Sequence, residues 1–139
     1  MKLINKLLVV LAVVVSGAVS PTLAGENDPL FISLTANKIQ PTNHALHFGK
    51  VHFTRGHPLT IFLSGRAVSL ATKAHAGEYA VQQKSMAELM DKGAVVIVCR
   101  YCMKQQGIKE TELLPGYKVG NPDLVGGALF RENTKTISW

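Results

Sequence analysis

A short apolar run followed directly by two cysteines constrains this chain more than any other feature. Gly93 precedes four β-branched residues at 95–98, and such a run without polar alternation predicts a strand buried on both faces of a sheet. The cysteines follow as Cys99 and Cys102, and Gly107 marks the place where a short helix ends. The sequence therefore predicts a strand, a cysteine pair and a helix in direct succession.

This succession has consequences for the sulfur atoms. Backbone N–H groups in the first turn of a helix have no partner within the helix, so they stabilise a negative charge placed there. A thiolate at Cys99 or Cys102 is then easier to form than in water, and Arg100 and Lys104 add positive charge nearby. Tyr101 is a candidate for shielding the sulfurs or lining their pocket. Thiol chemistry is expected here, and the alternative is two small apolar side chains with an incidental bridge.

The rest of the chain alternates apolar strands with helical segments. Predicted strands occupy residues 29–34, 59–63, 95–98, 117–119 and 134–139, the last at an edge of the sheet. Predicted helices occupy residues 42–55, 85–92, 124–130 and a short stretch that ends at Gly107, with a helical turn at 67–71. Connections too long for hairpins favour parallel pairing. The predicted fold class is therefore α/β and flavodoxin-like, a mostly parallel sheet of about five strands with helices on both faces.

Local signals place two of the helix starts. Ser85 and Glu88 have the spacing of a capping box, so a helix is predicted to begin at Ser85 after an irregular connection at 72–83. Asn121 followed by Pro122 is typical of a cap and the first helical residue, which predicts the start of the last helix.

The first 24 residues have the pattern of a secretory signal peptide. Lys2 and Lys6 form a positive region, residues 7–15 are apolar, and Thr22-Leu-Ala24 is a small-x-small cleavage site. The apolar stretch is shorter than the roughly 20 residues that a spanning helix needs, which disfavours a membrane anchor. We therefore predict cleavage after Ala24, a single domain at 25–139, a location in the periplasm or outside the cell, and no membrane association after cleavage.

The distribution of charge and the number of cysteines argue against two other classes of protein. The chain has a formal net charge of +6, but its lysines and arginines are spread singly, and no basic cluster favours nucleic-acid binding. Two cysteines allow at most one intrachain bridge, so a disulfide-stapled scaffold is excluded. A chain of 139 residues with 47% hydrophobic residues can bury a core of its own.

The position of a ligand crevice follows from the predicted topology. In doubly wound sheets, ligands bind beyond the carboxyl ends of the strands, where the strand order reverses. If strands one and three are neighbours there, the loop that carries Asn37 and the first helical turn with His44 share a crevice with Cys99 and Cys102. His44 and His47 lie three residues apart, so a Cys2His2 metal site is an alternative. No second C-x-x-C or H-x-x-H completes such a site, and we predict no metal and no cofactor.

Three motifs in this order resemble the DsrE/DsrF-like family. They are Gly93-Ala-Val-Val-Ile-Val-Cys-x-x-Cys-x-x-x-x-Gly-Ile108, the preceding Ile61-Phe-Leu-Ser-Gly65-x-Ala-Val68 and the following Leu114-Pro-Gly116-x-x-Val119. The resemblance implies a small flavodoxin-like domain that assembles as a trimer or hexamer. Several members pass persulfide sulfur from cysteine to cysteine, and the position of their sulfur-carrying cysteine is Cys99 here. Cys102 matches a second cysteine that many other members carry.

These observations together predict an exported thiol protein that handles sulfur. Cys99 is the expected persulfide carrier or exchanging thiol, Cys102 the resolving or accessory thiol, and a sulfur-donor or redox protein the expected partner. The relay proteins of the family act in the cytoplasm, so membership alone does not imply their substrates. The alternative is a non-enzymatic oligomeric module that binds a small ligand or metal and whose cysteines form a structural disulfide.

Overall fold

The computed structural model describes residues 25–139, and the predicted signal peptide lies outside the described residues. Its strands are β1 (Leu30–Leu34), β2 (Leu59–Leu63), β3 (Val95–Val98), β4 (Lys118–Val119) and β5 (Lys135–Ser138). Its α-helices are α1 (Ile39–Thr54), α2 (Ala80–Asp91), α3 (Arg100–Gln105) and α4 (Pro122–Leu129), and 3₁₀ helices occupy Gly65–Ala71, Lys73–His75 and Glu110–Glu112. Among residues 25–139, no helix is both long and apolar enough to cross a membrane.

All strands belong to one sheet in the order β4-β3-β2-β1-β5, and every neighbouring pair is parallel. The predicted α/β, flavodoxin-like fold is therefore confirmed, and β5 lies at an edge of the sheet as predicted. The expectation that strands one and three are neighbours is wrong, because β2 lies between β1 and β3. The other side of β1 is occupied by the C-terminal strand β5.

Helices cover both faces of the sheet. Alternate residues of the three central strands point toward α1 and α2 and are fully buried: Ile32, Leu34, Ile61, Leu63, Val96 and Val98. Gly49 lets α1 approach this face closely, since a Cβ there would lie 3.0 Å from the Ile32 side chain. Helix α4 lies on the opposite face, where Ile97 and Val125 both flank Gly120. The period-two alternation of the strands thus divides the apolar residues between two helical layers.

Helix α2 begins earlier than its sequence indicates. It starts at Ala80, and Ser85 lies inside it, so the predicted capping box at Ser85 is wrong. The polar residues before Ser85 are typical of a loop, yet Gln82 and Gln83 are buried. Burial is tolerated because the amides have partners, and Gln83 Nε2 donates to the Thr72 carbonyl oxygen at 3.0 Å. Tertiary hydrogen bonds therefore override the local polarity of the segment.

Helix α1 also begins ahead of its predicted start. It starts at Ile39 and includes Pro41, which had indicated a loop. Proline is tolerated in the first turn of a helix, because its missing N–H has no helical partner there. Thr42 therefore lies within the helix, where its N–H donates to the Lys38 carbonyl oxygen at 3.0 Å, and its side chain is buried.

The buried carboxylate of Asp28 holds the segment before β1 against β5, and its removal should destabilise the fold. Asp28 Oδ2 accepts the Gly25 N–H at 2.9 Å and forms an ion pair with Lys135 Nζ at 3.3 Å. Replacing Asp28 with asparagine removes the charge, and we expect a loss of about 1–2 kcal/mol in the free energy of unfolding, measured with urea. The control is Asp91→Asn at an exposed position, which should change stability little. Equal effects of the two substitutions on the free energy of unfolding would contradict a stabilising role of the Asp28 charge.

Candidate functional site

The cysteine pair lies at the connection between β3 and the start of α3. Cys99 is the N-cap residue of α3, and its Sγ accepts a hydrogen bond from the Cys102 N–H at 3.1 Å. The two cysteines form a disulfide, with their Cα atoms 5.2 Å apart. The predicted succession of strand, cysteine pair and helix is confirmed. An N–H of the first helical turn that has no partner within the helix thus donates to a sulfur atom, as expected for a helix start.

The two sulfur atoms have different surroundings. Cys102 Sγ accepts the N–H of Gly65 at 3.3 Å, which ties it to the start of the 3₁₀ helix Gly65–Ala71. Gln106, the residue that follows α3, donates its Nε2–H to the Gly65 carbonyl oxygen at 2.8 Å and strengthens the same contact. Cys99 instead lines an open cavity, of which Cys102 is not a wall. Both side chains are half-buried. Because Cys99 lines the cavity and Cys102 does not, Cys99 is the sulfur that a molecule in the cavity contacts.

The cavity beside Cys99 is mostly apolar. Its volume is about 500 Å³, and its walls are Phe62, Cys99, Arg100, Tyr101, Lys104, Gly120, Asn121, Pro122 and Val125. It lies on the α4 side of the sheet, since Phe62 and Val125 belong to that face. Tyr101 is 71% exposed and forms part of the rim. Tyr101 and Lys104 line this cavity with Cys99, and their predicted roles toward the sulfurs stay predictions.

The two basic walls of the cavity differ in their partners. Arg100 Nη1 lies 2.8 Å from Glu110 Oε1, and both side chains are largely exposed. Arg100 Nε also donates to the Gly120 carbonyl oxygen at 3.4 Å, so its guanidinium is held against the loop before α4. Lys104 forms no ion pair with any residue of 25–139. Lys104 is therefore the cation at this site whose charge no carboxylate offsets.

Asn37 joins a polar cluster away from the cavity. Its Nδ2 donates to Ser69 Oγ at 3.2 Å, and Ser69 Oγ donates to the Arg66 carbonyl oxygen at 3.0 Å. Burial raises the pKa of Tyr79, which adjoins this cluster, and the neighbouring Glu78 raises that pKa further. The Tyr79 hydroxyl is therefore protonated at neutral pH, and the cluster links the loop after β1 to the 3₁₀ helix behind Cys102.

The cavity of Cys99 does not include the loop after β1 or His44 of α1, which were predicted to share a crevice with the cysteines. Neither Asn37 nor His44 lines the cavity of Cys99, because β2 separates β1 from β3. His44 and His47 lie exposed on α1. Among residues 25–139, no three histidine, cysteine, aspartate or glutamate side chains are placed to share a metal ion. The Cys2His2 alternative is therefore not supported, whereas a role for Asn37 or His44 stays a prediction.

Most of the cavity walls carry no local signal in the sequence. Phe62 alternates with the buried Ile61 and Leu63, and this alternation is the signal that directs it to the opposite face of the sheet. Pro122 was recognised as the start of α4, which the structure confirms through the bond from the Leu124 N–H to Asn121 at 2.7 Å. Nothing in the spacing indicates that this helix start lies beside Cys99.

The fold and site define a small α/β protein with a cysteine pair at the carboxyl edge of a parallel sheet. The sequence model of the DsrE/DsrF-like family matches residues 29–131. The chain belongs to the DsrE/DsrF-like family, as its motifs had indicated. No curated protein matches it in sequence.

The solved structures that share the fold include those of three proteins. The ychN protein of E. coli aligns with a TM-score of 0.68 and 15% identity over 81% of this chain and 99% of its own. MTH1491, a protein of unknown function from Methanobacterium thermoautotrophicum, aligns with a TM-score of 0.66 and 12% identity over 81% and 100% of the two chains. BT1422, a conserved protein of unknown function from Bacteroides thetaiotaomicron, aligns with a TM-score of 0.55 and 19% identity over 81% and 95%. At these identities the likeness concerns the fold alone.

Proposed function

We propose that this protein handles sulfur through Cys99, as a persulfide carrier or as one half of a dithiol–disulfide couple. The observation that carries the proposal is the asymmetry of the two sulfurs. Cys99 lines an open cavity and accepts a helix-start N–H, whereas Cys102 is bound to the Gly65 backbone. Membership of a family with sulfur-relay members supports the same chemistry. An accessible thiolate with a hydrogen-bond donor is what sulfur exchange requires.

The proposed steps use only the two cysteines, a sulfur donor and a reductant. The Cys99 thiolate attacks the outer sulfur of a donor persulfide, so that an S–S bond forms on Cys99 and the donor leaves as a thiolate. The Cys102 thiolate can then attack Cys99 Sγ, which forms the intramolecular disulfide and releases hydrosulfide. A partner dithiol reduces that disulfide and becomes a disulfide itself. The bridge between Cys99 and Cys102 corresponds to the oxidised end of this cycle.

Mass spectrometry of the intact protein tests this proposal. The protein is reduced, freed of reductant, and incubated with glutathione persulfide before its mass is measured under denaturing conditions. We expect one added sulfur per chain, together with a disulfide population that is lighter by two hydrogens. A protein that stays bridged under reduction and gains no sulfur would instead be a binding module with a structural disulfide, and the proposal would fail.

Export belongs to the same proposal. In an oxidising compartment the pair rests as the disulfide, so the protein needs a dithiol partner to enter the cycle. The predicted signal peptide with its cut after Ala24 supports a periplasmic or secreted location, since exported chains lose such segments. The intact mass of the protein recovered from a periplasmic extract shows whether the cysteine pair is bridged and whether residues 1–24 have been removed. A mass that includes residues 1–24 would contradict export with cleavage.

We also propose that the chain forms a homo-oligomer. Phe130 at the end of α4 is 83% exposed and Tyr101 is 71% exposed, and large apolar side chains at such exposure favour a protein interface. Phe130→Asp is expected to shift the mass measured by light scattering toward the monomer, because it buries a charge in the contact. The matched control is Ala87→Asp on α2, which adds the same charge at an exposed position with a small side chain. A monomeric wild-type protein would contradict the proposal.

A further inference from the structure

We infer that the cavity beside Cys99 binds the apolar body of a small, singly anionic thiol or persulfide, the compound with which Cys99 exchanges sulfur. This inference rests on the proposed function and names its substrate class. It follows from three features of the cavity: its size, its apolar walls and the sign of the charge at its rim.

Size and wall chemistry select a small apolar body. The cavity of about 500 Å³ lies within the range of roughly 300–1,000 Å³ that small-molecule sites occupy. Phe62, Pro122 and Val125 present hydrocarbon to its interior, and Tyr101 adds an aromatic ring at the rim. A polar thiol such as glutathione can still react at Cys99 but gains little binding energy from these walls, because few polar atoms line them. An aromatic or branched aliphatic body gains from the same burial.

The rim charge selects an anion. Lys104 and Arg100 are the charged walls, and no carboxylate is among the residues that line the cavity. Glu110 binds the Arg100 guanidinium, so Lys104 contributes the charge that a ligand meets. A carboxylate on the ligand therefore pairs with Lys104 while its apolar body fills the cavity. A cationic ligand would face the like charge of Lys104 and is disfavoured.

The position of Cys99 in the cavity determines where a ligand must carry its sulfur atom. The Sγ of Cys99 is the reactive atom at the cavity, and Cys102 is not among the residues that line it. The ligand sulfur must then reach Cys99 Sγ while the rest of the molecule lies between Val125 and Phe62. In exchange with a disulfide of this class, the Cys99 thiolate forms the new S–S bond and one half of the reagent leaves as a thiolate.

Disulfide reagents of different charge test the inference on the full protein. Cys102→Ser isolates Cys99, so each reaction stops at one mixed disulfide. The probes are 5,5′-dithiobis(2-nitrobenzoate), which is aromatic and anionic, 4,4′-dithiodipyridine, which is aromatic and neutral, and cystamine, which is cationic and aliphatic. Each second-order rate is divided by the rate of the same reagent with N-acetylcysteinamide, which removes differences between leaving groups. We expect the normalised rate to be about tenfold higher for the anionic than for the cationic probe.

Three variants in this background locate the effect. Lys104→Gln should lower the normalised rate of the anionic probe about fivefold and leave the neutral probe nearly unchanged. Val125→Ser should slow both aromatic probes, because it replaces an apolar wall. Lys92→Gln removes an exposed positive charge outside the cavity and should change none of the rates. Iodoacetamide is small and neutral, so dividing each rate by the iodoacetamide rate of the same variant removes any change in the thiolate fraction of Cys99.

The outcomes separate this inference from the proposed function. Equal normalised rates for the three disulfides, or equal effects of Lys104→Gln and Lys92→Gln, would overturn the ligand class. Sulfur loading of Cys99 from glutathione persulfide would still support the proposed function in that case. A Cys99 that reacts with neither iodoacetamide nor any disulfide would overturn both.

Discussion

Replacing Cys99 with serine is expected to abolish sulfur loading, lowering the fraction of chains that gain a sulfur roughly 100-fold or more. Serine keeps the size and the hydrogen bond from the Cys102 N–H, so the fold should be unchanged. A hydroxyl cannot become the sulfur-attacking thiolate at neutral pH, and the proposed chemistry therefore ends with this substitution. Intact mass after incubation with a persulfide donor measures the loss, and thermal unfolding under reducing conditions checks the fold.

The Cys102→Ser variant is the matched control for this result. It removes one sulfur from the same turn but leaves the cavity walls intact, because Cys102 is not one of them. We expect it to load sulfur at Cys99 and to keep that sulfur longer than the wild-type protein, since no neighbouring thiolate expels it as hydrosulfide. Loading that persists in Cys99→Ser and disappears in Cys102→Ser would reverse the two roles.

The cysteine turn was predictable from sequence because its causes are local. A run of β-branched residues at 95–98 favours a central strand whatever the rest of the chain does. Gly93 and Gly107 both adopt positive φ, 103° and 68°, which is why glycines stand at these helix ends. The strand, the sulfurs and the short helix α3 were therefore fixed by neighbouring residues.

The cavity was not predictable, since distant segments form it. Its walls come from the end of β2, the cysteine turn and the start of α4, and their meeting depends on the strand order. The sequence alternation of strands and helices allows β1 or β2 to lie beside β3, and side-chain packing across the whole sheet decides between them. This choice brings Phe62 to the cavity of Cys99 and leaves Asn37 and His44 outside it.

Gly65→Ala is expected to cost about 3 kcal/mol of stability, because two separate strains act at this residue. Gly65 has a φ of 51°, in the left-handed region that residues with a Cβ rarely adopt. A Cβ there would also lie 2.8 Å from the Thr35 carbonyl oxygen, so the backbone has to shift. The measurement is the urea midpoint of the oxidised protein.

Two other glycines separate these strains. Gly107 has a φ of 68° but open space around its Cβ position, so Gly107→Ala should cost about 1 kcal/mol, the conformational part alone. Gly77 has open space and no positive φ, and Gly77→Ala should be within about 0.5 kcal/mol of the wild-type stability. If Gly65→Ala costs no more than Gly107→Ala, the approach of Thr35 exerts no strain.

Gly65→Ala is also expected to affect disulfide formation, because the Gly65 N–H is hydrogen-bonded to Cys102 Sγ. Gly65 donates its N–H to Cys102 Sγ at 3.3 Å and accepts Gln106 Nε2 at 2.8 Å, so a shift of its backbone moves the surroundings of Cys102 and not those of Cys99. We therefore expect Gly65→Ala to load sulfur at Cys99 normally but to form the disulfide and release hydrosulfide about tenfold more slowly. Hydrosulfide release after a single loading measures this step. Slowed loading with unchanged release would mean that Gly65 acts on Cys99, against the division of roles proposed for the two sulfurs.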